Sequence, residues 1–196
     1  HQANDFFRAT GAHTVLQYKE VNESLLRTRN SGGFQLLGLA DFPGQGSAFV
    51  GILDAFWESK GLVTPEKFRE SCAPTVLLAR LPKRTFRNGE KLKAKMEIYH
   101  FGKDALNSRK LNWTLTGEDG IVYHKGSLKT KSIQPATVDS LGIIELPLNG
   151  MDSALKLTLK AELGGIHNEW DVWVYPEQPK TEQYNFVYTR TWNDET

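Results

Sequence analysis

Residues 92–101 read LKAKMEIYHF, and their alternation places Leu92, Ala94, Met96 and Ile98 on one face against Lys93, Lys95, Glu97 and Tyr99 on the other. A side-chain period of two belongs to an extended strand with one face buried and the other in water. Comparable stretches follow at Leu111 to Thr116, Ile121 to Lys125, Ser127 to Ile133, Val138 to Leu146, Ala154 to Ala161 and Ile166 to Tyr175. Turn pairs separate them: Asn88-Gly89, Asp119-Gly120, Asn149-Gly150 and Gly164-Gly165. Short strands at such intervals predict an antiparallel, immunoglobulin-like β-sandwich of seven or eight strands over residues 76–176. In the last strand, Trp170, Val172 and Val174 form the inward set, because the opposite parity would bury Asp171 without an evident partner.

Upstream of residue 75 the period is different. Val15, Leu16, Val21, Leu25 and Leu26 recur at helical spacing among Gln17, Lys19, Glu20, Glu23 and Arg27, which predicts a helix over 12–29. Asn30, Ser31, Gly32 and Gly33 end it, and SGGFQLLGLADFPGQG (31–46) follows. The near-continuous apolar run Phe34, Leu36, Leu37, Leu39 reads as a strand of a parallel sheet covered on both faces, spanning 33–41. The loop after it carries Pro43, Gly44 and Gly46, and lies where α/β proteins place ligands. In GLVTPEKFRESCAP, Thr64 is the expected N-cap, Pro65 the first helical residue and Pro74 the stop. Arg80, Lys83, Arg84 and Arg87 read as a solvated linker between the two regions. Residues 1–75 thus form a short α/β segment, 76–176 the sandwich, and 177–196 a tail or the start of a further segment.

Composition excludes several functions. The 196 residues carry a formal net charge of +1, so there is no electrostatic footprint for nucleic acid or an anionic membrane. No apolar stretch approaches the roughly 20 residues of a membrane helix, and HQANDFFRAT does not read as a targeting signal. Cys72 is the single cysteine, so no internal disulfide forms, and no histidine or cysteine pair has metal-ligand spacing. Gly44-Gln45-Gly46 has Phe49 where a dinucleotide loop needs its third glycine, and Ser47 lacks the glycines of a nucleophile elbow. No metal or cofactor is expected. Asp41, at the end of the apolar run, reads equally as a substrate contact or as a cap of its own loop. Phe42 and Trp57 offer aromatic faces to a sugar ring, and Gln45 lies in the same loop.

The order of parts is glycine pair and apolar run, irregular loop, GLVTPEKFRE, basic segment, then a sandwich ending in NEWDVWVYP. It resembles the carboxyl-terminal part of glycoside hydrolase family 2 proteins, especially large multi-domain members from Bacteroides-type bacteria. The resemblance implies that 33–41 is the eighth strand of a (β/α)8 barrel, that 65–72 belongs to its last helix, and that the sandwich is an accessory domain. It further implies a carbohydrate substrate met through the parent protein, with Asp41, Phe42, Gln45 and Trp57 near it, the rest of the barrel as partner, and a periplasmic or extracellular location. Members carry Trp-Asp-Trp in the eighth strand where this chain has Gln35-Leu36-Leu37-Gly38. The family's catalytic glutamates come from barrel strands that would precede His1, so no catalytic residue is expected in this chain. The alternative function is a non-catalytic module that holds carbohydrate or packs between domains.

Overall fold

The computed structural model describes residues 2–44, 46–107 and 110–177. In chain order the elements are α1 (Ala3–Leu26), β1 (Phe42–Gly44), β2 (Gly46–Ala48), α2 (Pro65–Arg69), β3 (Thr75–Arg80), β4 (Thr85–Arg87), β5 (Lys91–His100), β6 (Lys110–Gly117), β7 (Val122–Lys129), β8 (Thr137–Pro147), β9 (Leu155–Leu163) and β10 (Ile166–Tyr175). The fold is mainly β. A five-stranded sheet, β4-β10-β9-β6-β7, faces a three-stranded sheet, β3-β5-β8. Neighbouring strands are antiparallel except β4 and β10, which pair in parallel with Trp173 opposite Thr85.

The alternation of the sequence is the alternation of the sandwich. Leu92, Ala94, Met96 and Ile98 are wholly buried and meet Leu111, Leu115, Leu159, Val172 and Val174 from the other sheet in one core. Trp170 is buried, while Trp173 and Tyr175 of the same strand are exposed, as their parity requires. The turn glycines Gly89, Gly120, Gly150, Gly164 and Gly165 all hold positive φ, a conformation only glycine adopts without steric cost. His100 faces inward as a core histidine. Its Nδ1 pairs with the Thr75 hydroxyl at 2.8 Å and its Nε2 with the Asp104 carbonyl at 2.9 Å.

Several readings are corrected. In place of separate strands at Ile121–Lys125 and Ser127–Ile133 there is one, β7, ending at Lys129, with Ile133 in an isolated bridge to Leu106. Gly126 is a contact point and not a break, since the Trp113 indole lies over it, at 2.5 Å from where a Cβ would sit. The basic segment is solvated, as expected, but it is more than a linker. Arg80 pairs with Glu97, Lys83 with Glu90 and Arg84 with Glu20, and Thr85–Arg87 is an edge strand. The first helix starts nine residues earlier than its pattern suggested, at Ala3, and its supposed apolar face is largely in water, with Leu16 and Val21 each 55% exposed. No regular strand forms at 33–41. Only Ala40 bridges, in parallel, to Leu53, and Leu37 is 98% exposed. A buried strand needs neighbours on both edges, and among the described residues this segment has only that bridge. The tail reading falls, from 178 onward, outside the described residues.

The helix α1 closes the seam where β3 of one sheet approaches β10 of the other. Leu26 packs on Val76 and Leu78, and the Arg27 guanidinium donates to the Ala79 carbonyl at 2.8 Å. Glu23 is wholly buried in that seam. Its carboxylate accepts from Trp170 Nε1 at 2.9 Å, Asn168 Nδ2 at 3.0 Å and Lys19 Nζ at 2.6 Å. Lys19 also donates to Asn168 Oδ1 and lies 5.5 Å from the Trp170 ring centroid. Asn168 completes the joint by donating to the Leu77 carbonyl of β3 at 2.7 Å.

Candidate functional site

The loops between α1 and α2 are held by a crossing of backbone segments. Asp41 donates its N–H to the Leu53 carbonyl, Leu53 donates to Leu39, and Asp54 donates to Glu58. The chains approach so closely that a Cβ on Gly51 would lie 2.4 Å from the carbonyl carbon of Ala40, so glycine is required there. Asp41 Oδ1 accepts from the Gly51 N–H at 3.0 Å and from Lys60 Nζ at 2.6 Å, and Lys60 also reaches the Gly51 carbonyl at 2.9 Å. Asp41 is thus engaged as the fastener of its own loop, its side chain only 7% exposed. The other carboxylate of this segment, Asp54, accepts from the N–H groups of Phe56 and Glu58 through Oδ1 and shapes the turn between them.

Of the four residues expected near a sugar, the structure thus turns Asp41 inward and leaves two aromatics outward. Phe42, on β1, is 63% exposed, and Trp57, at a positive φ of 68° in the Asp54 turn, is 69% exposed beside Phe56 at 85%. Gln45 lies outside the described residues. The ring of Phe42 folds over Gly44, where a Cβ would meet it at 2.1 Å. A cleft of about 570 Å³ runs between α1 and this segment, lined by Phe7, Tyr18, Leu37, Phe49, Val50 and Leu62 among others. Its cation, Lys60, is neutralised by Asp41, so the cleft is apolar with amide and hydroxyl groups from Gln17, Gln35 and Thr14.

Sequence reasoning missed the polar joint at the seam. Glu23 sits among the polar positions of its helix, and the only visible signal is its i,i+4 spacing from Lys19, which on its own describes a surface pair. It also missed the cluster on the opposite face of β10, where Lys67 binds Glu70 and Glu169, each at 2.6 Å. Burial pulls the Lys67 ammonium down, but its hydrogen bonds to Glu169 and Glu70 outweigh that and hold it above its usual value. Among the described residues, no group of three histidine, cysteine or carboxylate side chains could hold a metal ion, and no helix is long and apolar enough to cross a membrane.

Fold and site together define a two-sheet β-sandwich with a helical collar. A family model described as a domain of unknown function (DUF8488) matches residues 90–176, which run from just before β5 through β10. No curated protein matches the chain. Among solved structures, the sporulation control protein Spo0M from Bacillus subtilis is similar over 55% of this chain at 16% identity and a TM-score of 0.39, and the chain spans 51% of its length. The CARDB domain of the PF1109 protein from Pyrococcus furiosus, solved with di-metal ions, is similar over 53% of this chain and 94% of its own, at 12% identity and a TM-score of 0.38. A candidate beta-galactosidase from Bacteroides fragilis is similar over 50% of this chain and 16% of its own, at 12% identity and a TM-score of 0.34. Likenesses of this size carry no argument about function.

Proposed function

We propose that this chain is a non-catalytic module of a larger carbohydrate-active hydrolase, in which the sandwich and α1 form a rigid unit and the 37–57 segment docks on the rest of the protein. One observation supports this above others. The sandwich buries its inward-facing apolar residues and leaves only scattered ones half exposed, whereas Leu37, Phe49, Val50, Phe56 and Trp57 are all at least 60% exposed within one short segment. Scattered single exposures are ordinary, but this concentration marks a face built to be covered. Glycoside hydrolysis needs two carboxylates flanking one bond, and Asp41 and Asp54 are both engaged in holding their own loops. That the parent is a glycoside hydrolase of the family 2 kind, outside the cytoplasm, rests on the order of parts in the sequence.

The test has two arms. The chain, assayed on a panel of aryl glycosides at neutral pH, should give no turnover above buffer. Turnover that disappears in Asp41→Asn would overturn the reading. A hydrophobic dye should bind the chain and fluoresce, and the triple variant Leu37→Ser, Phe56→Ser, Trp57→Ser should lose most of that signal while melting at the same temperature. Equal dye binding by the two proteins would remove the docking face.

A further inference from the structure

A second groove, of about 560 Å³, lies between the end of α1 and the outer face of the three-stranded sheet. The period of two along β5 brings Tyr99 and, just past the strand, Phe101 to that face. Their rings stack with centroids 4.5 Å apart and planes 21° from parallel, and Phe101 is 48% exposed. Arg29 and Asn30, in the turn after α1, and Asp139 of β8 also line it. Among the described residues, Arg29 has no ion pair or hydrogen bond, and Asp139 accepts only from the N–H of its neighbour Ser140. Two non-glycine residues with left-handed backbone, Asn30 at φ 62° and Ala136 at φ 59°, both line this groove. Asparagine takes this conformation readily after a helix, but alanine does so at a cost, and backbone of that kind gathers where a binding surface is shaped.

The chemistry narrows the guest. An anion would be repelled by Asp139 and a cation by Arg29, while a wholly apolar guest would strip water from both and return no hydrogen bond. A neutral molecule with a flat C–H face and several hydroxyls satisfies every group: its hydroxyls donate to the Asp139 carboxylate and accept from the Arg29 guanidinium, and its C–H face lies on the aromatic pair. The volume falls within the range of small-ligand clefts. We infer that this groove binds one or two pyranose units of a neutral oligosaccharide. The site lies apart from the exposed 37–57 segment and does not depend on it, so either can stand if the other fails.

Saturation-transfer NMR on the whole chain tests this, with cello-, xylo-, manno- and malto-oligosaccharides as neutral probes, sulfated and sialylated glycans as charged ones, and an extended peptide as comparison. Irradiating the aromatic protons should transfer saturation to the ring C–H protons of at least one neutral oligosaccharide. Phe101→Ala and Arg29→Gln should each weaken that binding at least tenfold, or about 1.4 kcal/mol, with both variants folded at the assay temperature and Arg29→Gln melting as the parent chain does. No transfer to any neutral probe at millimolar concentration overturns the assignment. So does binding that both variants leave intact, or binding confined to charged glycans or the peptide.

Discussion

Removing the Glu23 carboxylate should release α1 from the sandwich. In Glu23→Ala, Trp170 Nε1 and Asn168 Nδ2 each lose a charged acceptor inside the protein, and Lys19, whose side chain is 15% exposed, loses its counter-ion. A hydrogen bond to a charged group contributes about 1.5–3 kcal/mol, and deleting one member of a buried ion pair costs about 3–5 kcal/mol. The three donors share one acceptor, so their losses overlap and the substitution as a whole should cost about 3–5 kcal/mol. That is a large part of the roughly 5–15 kcal/mol that holds a domain together. Urea denaturation followed by tryptophan fluorescence measures it, since Trp170 is buried against the helix. Glu23→Gln keeps the shape and one acceptor but not the charge, and should fall between the two. A double-mutant cycle with Trp170→Phe, which removes the indole N–H, should return a coupling of about 0.5–3 kcal/mol. A loss below about 1 kcal/mol for Glu23→Ala, or strict additivity in the cycle, would refute the view that this carboxylate fastens the helix.

Further outcomes can be checked on the same protein. Trp170→Ala should cost about 3–5 kcal/mol, and Trp173→Ala, 38% exposed, clearly less; the reverse order in chemical denaturation would invert the core assignment of β10. Asn22 is wholly buried with neither side-chain atom hydrogen-bonded, so Asn22→Leu should raise stability by about 1–3 kcal/mol, and a lower melting temperature would show that the amide has a role in the fold. Burial raises the Cys72 thiol pKa more than nearby Arg69 lowers it, so a thiol reagent near neutral pH should react more slowly than with a free cysteine; a faster rate counts against that environment. Because Lys67 is held above its usual 10.5, the stability it contributes is full below that value and is lost as pH rises through its higher native pKa. Melts between neutral and strongly alkaline pH should therefore fall less steeply in Lys67→Met than in the parent chain, and parallel curves would reject the coupling.

What could be read from the sequence was local. Period two assigned the faces of β5 and β10, glycine pairs marked the turns, and Thr64 with Pro65 announced α2, where the Thr64 hydroxyl does accept from the Lys67 N–H at 3.2 Å. What could not be read depended on partners far along the chain. The run at 34–39 has the composition of a doubly covered strand, but composition cannot supply the neighbours that make one. Glu23 has the spacing of a surface residue, and only the approach of Trp170 and Asn168 makes its burial tolerable. Arg80, Lys83 and Arg84 read as a plain linker because their partners Glu97, Glu90 and Glu20 come from outside the segment. Of the site residues, Asp41 was open between two roles, and its bonds to Lys60 and Gly51 favour the loop-holding one.

The seam joint also sets an order of events in time. Glu23 and the Trp170 indole that binds it are 147 residues apart in the chain. At ribosomal rates of about 5–20 residues per second, the helix emerges roughly 7–30 s before β10 can meet it. Through that interval the sheet it will seal is incomplete, and the charged side chain it later buries stays in water. Contacts of such sequence separation also slow folding itself. The chain therefore completes its core late, when β10 joins the sheet and α1 can close on it.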